Sequence, residues 1–198
     1  MVLYTDGLTE ISTISNEDKP YVLKLYSENT FGCDAETGAL RPTNEQFNQI
    51  MDGVIAGTDD ETNIFVIKQQ GEFVGYASCF VEYDRLVIGH IAVENNKRGN
   101  GFGSALTHFI VCVAENENRD VSLFCTHPNS CFKKMGFETT DGVHYYHEKQ
   151  NVKYPEIPSP LFVGADEYKK RQDIKTKKEV DDFAKFLNSD ISKILWEL

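Results

Sequence analysis

The sequence predicts a mixed α/β fold, with helices on both faces of one sheet and a helical extension at the C-terminus. In the second half of the chain, apolar stretches typical of strands alternate with stretches that have apolar residues at helical spacing. The chain has 198 residues, 40% of them hydrophobic, which is enough for one domain with its own core and a smaller appendage. A proline-rich stretch after residue 149 separates the two parts.

The first third of the chain is predicted to form one strand followed by two helices. Apolar and polar residues alternate over Leu8–Ile14, as they do in a half-buried strand. Ser15 or Asn16 is expected to cap the helix that follows. A capping box formed by Thr43 and Gln46 begins the second helix, and a glycine ends it.

Three strands are predicted in the middle of the chain. The first two, at 62–68 and 73–81, flank a hairpin turn in which Gly71 can adopt a positive φ. The third, at 86–93, is nearly all apolar, as expected of a strand covered on both faces. An amphipathic helix, a short buried strand, a short helix and a second hairpin follow, at 106–114, 121–125, 132–136 and 137–147.

The chain is predicted to have three parts. A domain over 1–149 is followed by a proline-rich linker over 150–165 and by a helical extension over 166–198. The extension packs its apolar face either on the same chain or on a second copy, as a homodimer. That face is formed by Phe183, Phe186, Leu187, Ile191, Ile194 and Leu195.

The charge is unevenly distributed along the chain. The formal net charge is −11, and residues 1–90 hold 15 acidic but only 5 basic side chains. A nucleic-acid-binding protein is therefore not expected, because it needs a basic surface to displace the counterions of the phosphates. The acidity either serves solubility or attracts a cationic partner.

The sequence predicts a cytoplasmic protein with reduced thiols and no membrane contact. The longest apolar run, Phe109–Ala114, is too short to span a bilayer, and the N-terminus has no signal-peptide pattern. The five cysteines are odd in number and lack zinc spacing, so no metal site is expected. Cys131 lies close to the site argued below, where we interpret it as a packing residue rather than a nucleophile.

A glycine-rich turn, Arg98–Gly103, lies between an apolar strand and an amphipathic helix. The first N–H groups of that helix have no intrahelical partner and the helix dipole is positive there, so the turn suits an anion such as a pyrophosphate. A Rossmann fingerprint would place G-x-G-x-x-G after the first strand. Here the spacing is G-x-G-x-G, after the fourth predicted strand.

Two motifs resemble those of the GNAT N-acetyltransferases. Ile91–Val93 followed by R-x-x-G-x-G at 98–103 is similar to the acetyl-CoA motif of that family, and Phe132–Phe137 to its later Y-x-K-x-G-F motif. The resemblance covers about the first 149 residues. It implies a mostly antiparallel central sheet, acetyl-CoA as co-substrate, no metal, and direct attack of a primary amine on the thioester.

Carried over residue by residue, the resemblance implies a cofactor site made largely of backbone. The backbone of Ile91, Ala92 and Val93 would hold the pantetheine arm, with the Val93 N–H facing the thioester carbonyl. Amides of the turn would hold the pyrophosphate, with Arg98 adding charge and Phe132 nearby. The turn residues are Gly99, Asn100, Gly101, Phe102, Gly103 and Ser104.

The sequence departs from the family pattern at the catalytic acid. The usual tyrosine is Phe132, which cannot donate a proton to the leaving thiolate. Tyr145 or Tyr146 is a candidate substitute, although either also suits packing on a sheet. His90 and His127 are candidate bases, because a histidine pKa near ~6.5 suits proton transfer; the alternative for each is a hydrogen-bonded packing histidine.

Two functions follow as hypotheses. The first is an N-acetyltransferase that acts on a cationic small molecule or peptide amine, because family members wall the acceptor groove with elements that lie here in the acidic first 90 residues. The second is a non-catalytic acyl-CoA-binding module that acts through a protein partner. The phenylalanine at position 132 motivates this second hypothesis.

Overall fold

The computed structural model describes residues 1–29, 42–125, 130–157 and 160–187; at 130, 131, 165, 180 and 183–187 it describes the backbone only. The chain forms two compact units, Met1–Val163 and Gly164–Leu198. The first unit contains β1 (Val2–Thr5), β2 (Thr9–Thr13), α1 (Lys19–Asn29), α2 (Asn44–Ala56), β3 (Thr62–Gln69), β4 (Glu72–Glu82), β5 (Arg85–Val93), α3 (Phe102–Asn116), β6 (Asp120–Phe124), α4 (Ser130–Lys134) and β7 (His144–His147). A 3-10 turn, Asn95–Lys97, follows β5.

The seven strands form one sheet in sequence order, from β1 at one edge to β7 at the other. All neighbours are antiparallel except β5 and β6, which α3 connects as a parallel pair. The mostly antiparallel central sheet flanked by helices is therefore confirmed. Strand β1 was not predicted, because a stretch of four residues carries little alternation; Leu3 is its one buried side chain.

The helices cover the sheet on both faces. Buried side chains of α1 and α2, among them Val22, Tyr26 and Phe47, pack with Tyr76 of β4 in one core cluster. On the other face, Phe109 of α3 contacts Phe65 of β3, with ring centroids 5.2 Å apart.

Local hydrogen bonds set the bounds of α1 and α2. The capping box at Thr43 and Gln46 is present as predicted, and Gly57 ends α2 in the left-handed region at φ 68°. The predicted cap of α1 is wrong by a few residues, because Asp18 precedes the first helical residue. Its carboxylate accepts the Ser15 N–H at 3.1 Å and the Ser15 hydroxyl at 2.6 Å.

Residues 149–157 and 160–163, which we call the strap, overlap the predicted linker over 150–165. The Glu115 carboxylate at the end of α3 accepts backbone N–H groups of Gln150 at 2.7 Å and Val152 at 3.2 Å. The next residue of α3 also holds the strap: the side-chain oxygen of Asn116 accepts the Tyr154 N–H at 2.8 Å. Backbone groups of the strap are thus paired by side chains of the first unit, and that unit extends to Val163.

The second unit is described up to residue 187. Its helix α5, Ala165–Leu187, confirms the C-terminal helix, and Glu167 pairs with Arg171 at 3.2 Å one turn later. The predicted apolar face of the extension lies on residues whose side chains fall outside the described part of the chain. Among the described helices, none is long and apolar enough to cross a membrane.

Candidate active site

The sheet opens between β5 and β6. The two strands pair only from Arg85 and Asp120 to Ile88 and Leu123, whereas β5 continues to Val93 beside β4. Within the described part of the chain, β5 after Ile88 is therefore paired on its β4 edge and has no strand partner on the side of β6. We call this opening the gap.

A bulge lies in β5 where the gap begins. Ser78 of β4 faces His90 and Cys79 faces Ile88, so Gly89 is the extra residue. The bulge reverses the alternation, and the side chains of Ile88 and His90 consequently lie on opposite faces of the sheet. A Cβ on Gly89 would lie 3.2 Å from the ring of Phe80, so the glycine leaves room for that ring.

Backbone groups of Ile91 and Val93 face the gap. The Glu94 N–H donates to the Val74 carbonyl on β4 at 2.9 Å. Because antiparallel pairs alternate, the N–H and carbonyl groups of Ile91 and Val93 point away from β4, while those of Ala92 point toward it. The backbone of Ala92 therefore pairs within the sheet, and its side chain is buried.

The glycine-rich turn leads into α3 beside the gap. Gly99 and Gly101 adopt φ values of 80° and 85°, in the region that favours glycine. Gly101 occupies the N-cap position of α3, where no side chain caps the helix. The Ala105 N–H donates to the Gly101 carbonyl at 2.9 Å, which is the bonding expected in the first turn of a helix. The N–H groups before it point out of the helix start, as an anion site requires.

The Arg98 side chain stabilises this turn through hydrogen bonds within the protein. Its Nε donates to the Val93 carbonyl at 3.0 Å, and one terminal nitrogen donates to the Asn29 side chain at the end of α1 at 2.8 Å. The Asn100 side chain likewise bonds back to the Lys97 carbonyl at 3.0 Å. These contacts fix the backbone between the gap and the turn.

A cavity of about 560 Å³ joins the gap to the turn. This volume falls in the ordinary range for small-ligand sites. Among the described residues that line it, the charged side chains are the cations Lys97 and Arg98, and none is acidic. The remaining lining residues are Ile91, Val93, Gly99, Gly101, Phe102, Gly103, Ser104, Thr107, Cys125, Phe132 and Met135.

Comparison with known proteins agrees with this geometry. Residues 60–139 match the family model described as an acetyltransferase (GNAT) domain. These residues are therefore similar to a GNAT acetyltransferase domain. No curated protein matches the chain by sequence.

Solved structures share the fold of the first unit of this chain. The PaiA N-acetyltransferase from Thermoplasma acidophilum, in complex with coenzyme A, is 15% identical, with 74% of this chain and 99% of that chain covered and a TM-score of 0.52. RimL, a ribosomal L7/L12 α-N-protein acetyltransferase in complex with coenzyme A, is 14% identical, with 77% and 100% covered and a TM-score of 0.58. A GNAT family acetyltransferase from Brucella melitensis, in complex with acetyl-CoA, is 12% identical, with 76% and 93% covered and a TM-score of 0.51.

Phe132, the residue at the motif position where the resemblance implies a tyrosine, lines the cavity. Its ring packs against Tyr145 and Phe137, with centroids 5.4 and 5.9 Å away. Tyr145 is 1% exposed and is not among the described lining residues. Tyr146 points to the opposite face of β7 and is 46% exposed. Neither tyrosine therefore stands in the cavity where Phe132 lies.

His90 is on the opposite face of β5 from Ile91 and Val93. Its Nδ1 lies 2.7 Å from the Tyr76 hydroxyl, and its ring is half-buried against Tyr76 and Tyr26. His127, the other candidate base, lies outside the described residues. Glu82 and Asp84, at the far end of the β4–β5 hairpin, are exposed.

The cysteines whose side chains are described fall into two groups. Cys79 and Cys112 are buried and not in disulfides, and burial raises the pKa of both thiols, to about 11 for Cys112. Cys125 instead lines the cavity, which the sequence analysis missed because the residue reads as part of a buried strand. Among described residues, no three His, Cys, Asp or Glu side chains are grouped to hold a metal ion.

Proposed function

We propose that this protein is an N-acetyltransferase that moves an acetyl group from acetyl-CoA to a primary amine. The observation that carries the proposal is the single cavity that joins the open backbone edge of β5 to the amide-rich start of α3. Its cationic lining and its lack of described acidic lining residues suit a pyrophosphate. The coenzyme A complexes named above have the same fold.

The cofactor would be held mainly by the backbone. The N–H groups from Gly99 to Ser104 would bind the pyrophosphate, and those of Ile91 and Val93 would pair with the pantetheine arm in the gap. The Arg98 contact to the Val93 carbonyl supports this arrangement, because it leaves the Val93 N–H as the group directed at the thioester. That N–H would stabilise the oxyanion that forms on attack.

The reaction is direct transfer. The amine nitrogen attacks the thioester carbonyl carbon, a carbon–nitrogen bond forms, and the carbon–sulfur bond then breaks. His90 takes the proton that the amine loses and releases it to solvent. Because Phe132 has no proton to give, the thiolate of coenzyme A takes its proton from water; a thiol pKa near ~8.5 makes it only a modest base.

The acceptor is proposed to be a cationic amine. Residues 1–90 hold 15 acidic and 5 basic side chains, which leaves this part of the chain strongly acidic. An acidic surface raises the local concentration of cations and loses this effect as salt is added. Acetylation of a diamine should therefore weaken with rising ionic strength more than that of a neutral amine, and a preference for neutral or acidic acceptors would contradict the charge argument.

Substitution of Gly103 tests the cofactor assignment. Gly103 needs no positive φ, and a Cβ there would meet only Val93 Cγ2, at 3.8 Å. Gly103→Glu therefore adds a carboxylate beside the proposed pyrophosphate site without straining the backbone. We expect its acetyl-CoA affinity to fall by about tenfold or more because like charges repel. Gly103→Ala is the matched control that adds only a methyl group, and equal calorimetric affinities for the two variants would contradict the assignment.

Release of coenzyme A distinguishes the two functions. The alternative is a non-catalytic acyl-CoA-binding module, which the phenylalanine at 132 and the burial of Tyr145 favour. The measurement is thiol release from acetyl-CoA with a panel of diamines, peptide N-termini and neutral amines. Binding without release on any acceptor would support the alternative, whereas amine-dependent release would support the enzyme.

A further inference from the structure

A second cavity, of about 230 Å³, lies beside α3. We call it the side crevice, and we call the cavity that joins the gap to the turn the cofactor cavity. The two cavities share none of their described lining residues. Three parts of the first unit form the walls of the side crevice, namely α3, the edge strands β1 and β2, and the strap. An apolar cavity of about 150 Å³ is large enough to bind benzene, so the side crevice suits a molecule somewhat larger than one aromatic ring.

Hydrogen bonds fix the strap wall of the side crevice. The Ile157 N–H donates to the Tyr154 carbonyl at 3.0 Å, which closes a four-residue turn. The side chain of Asn116, the last residue of α3, donates to the carbonyls of Tyr154 and Ile157 at 2.8 and 3.2 Å. The same side chain accepts the Tyr154 N–H at 2.8 Å. The turn is thus tied to α3, and this wall is formed before any ligand binds.

The lining joins an apolar wall to several polar groups. Ile11, Phe109 and Ile157 are buried and supply the apolar wall. The Cys112 Sγ lies 3.7 Å from His108 Nε2, and both residues line the side crevice. Packing voids in protein cores are few and small, whereas ligand sites combine apolar walls with a few convergent polar groups. The side crevice therefore has the composition of a ligand site.

The charge around the side crevice favours a cation. Among its described lining residues, Glu156 carries the one carboxylate, and none is a lysine or arginine. Burial is the main reason for the raised pKa of Cys112, and the carboxylates of Glu156 and Glu115 raise it further. The field of these carboxylates thus reaches the thiol inside the side crevice. Aromatic rings of the lining, such as those of Tyr4 and Tyr154, suit contact with a cation or with another ring.

We propose that the side crevice is a second ligand site, which binds a small arylalkyl amine in its protonated form. The aromatic ring of the ligand would lie among Ile11, Phe109 and Ile157, and its ammonium group would face the Glu156 carboxylate. Glu156 is exposed, so the ammonium group would keep part of its hydration while it pairs. The site does not depend on the proposed acetyl transfer.

The test is a titration with phenethylamine at pH 8, where an alkyl amine with a pKa near ~10.4 is protonated. Phenethyl alcohol is the neutral ligand of nearly the same shape, and methyl NMR signals of Ile11 and Ile157 report occupancy. We expect saturable shifts of both signals, with the amine bound about two- to fivefold more tightly, the strength of an exposed ion pair. No saturable shift with either ligand up to about 10 mM, the affinity expected of so small a ligand, would overturn the proposal. Equal affinities of the two ligands would overturn the assignment to a cation.

Variants at the carboxylate test the role of charge. Glu156→Gln removes the charge and keeps the size of the side chain, so the amine should lose its advantage while the alcohol binds as before. Glu148→Gln is the matched control, because Glu148 is also exposed and does not line the side crevice. It should leave the ratio of the two affinities unchanged. An equal loss of amine affinity in both variants would overturn the role of Glu156.

A variant at Ala105 and competition with coenzyme A test the location. Ala105 is an exposed lining residue of α3, and leucine has nearly the helix propensity of alanine, so Ala105→Leu should fold. Its larger side chain should weaken binding of both ligands by about fivefold or more, because it clashes with them. Coenzyme A has no acetyl group to transfer, and saturation with it should leave amine affinity unchanged. Displacement by coenzyme A, or undiminished binding in Ala105→Leu, would overturn the proposal. Failure to acetylate any amine would contradict only the proposed function, so the two failures are distinguishable.

Discussion

A methyl group at position 75 tests the close approach of β4 to β5 beside the cofactor cavity. A Cβ on Gly75 would lie 2.5 Å from the Ala92 carbonyl oxygen and 3.1 Å from Val93 Cα. Both are backbone atoms held by sheet pairing. Real Cβ atoms essentially never show contacts under 3.0 Å, so the two strands would have to separate by about 0.5 Å to accommodate the methyl group. Overpacking of this kind costs about 1–3 kcal/mol of unfolding free energy.

The sign of the change in unfolding free energy separates two explanations for Gly75→Ala. Backbone propensity alone predicts that Gly75→Ala stabilises the protein, by about 0.5–1 kcal/mol for a glycine inside a strand. The close approach predicts the opposite sign, together with weaker acetyl-CoA binding, because the displaced residues include Val93. Urea unfolding followed by circular dichroism measures the first effect, and titration calorimetry with acetyl-CoA measures the second.

Gly89→Ala is the control, since its nearest neighbour is the ring of Phe80 at 3.2 Å, which is 39% exposed and can rotate away. We expect it to lose less than about 1 kcal/mol of unfolding free energy, below the usual cost of overpacking. If Gly75→Ala were as stable as the unsubstituted protein and bound acetyl-CoA equally well, the reasoning on the β4–β5 approach would be refuted.

Three further predictions concern the strap, the thiols and an exposed turn. Glu115→Gln should lower the unfolding free energy by about 1–3 kcal/mol in urea, because one of two strap N–H groups loses its acceptor. Iodoacetamide at pH 8 should leave Cys112 unmodified, since burial raises its pKa to about 11, while acetyl-CoA should protect Cys125, which lines the cavity. The His144 N–H, the His144 imidazole and the Val143 N–H form hydrogen bonds with the Asp141 carboxylate and lower its pKa. Asp141 should therefore stabilise the folded protein above the unfolded pKa near ~4, and this contribution should be lost as pH falls. In Asp141→Asn, the unfolding free energy should depend less on pH in this acidic range.

Features set by local chemistry could be predicted from the sequence. The capping box at Thr43 and Gln46 needs only residues three apart, and the structure has both of its hydrogen bonds. The glycine-rich turn belongs to the same class, because Gly99 and Gly101 adopt the positive φ values that only glycine adopts readily. The motif around them therefore indicated where the anion-suited backbone would lie before any packing was considered.

Features set by pairing between distant residues could not be predicted. The bulge at Gly89 arises because Ser78 of β4 pairs with His90 and Cys79 pairs with Ile88. This pairing cannot be seen in the sequence of β5, which alone predicts an uninterrupted strand. Tyr76 appears in the sequence as one more apolar strand residue, although its hydroxyl is the partner of His90. The strap was predicted as a linker because prolines dominate its composition, whereas the groups that hold it are polar side chains at the end of α3.

The distribution of charge relates the two sides of the proposed reaction. Three of the five basic side chains in residues 1–90, at positions 19, 24 and 68, pair with carboxylates of the same region, so the surplus charge there is acidic. The cofactor cavity has the opposite sign, with Lys97 and Arg98 among its described lining residues and no carboxylate. An anionic co-substrate would thus meet a cationic lining, while the acidic surplus of residues 1–90 would favour a cationic acceptor.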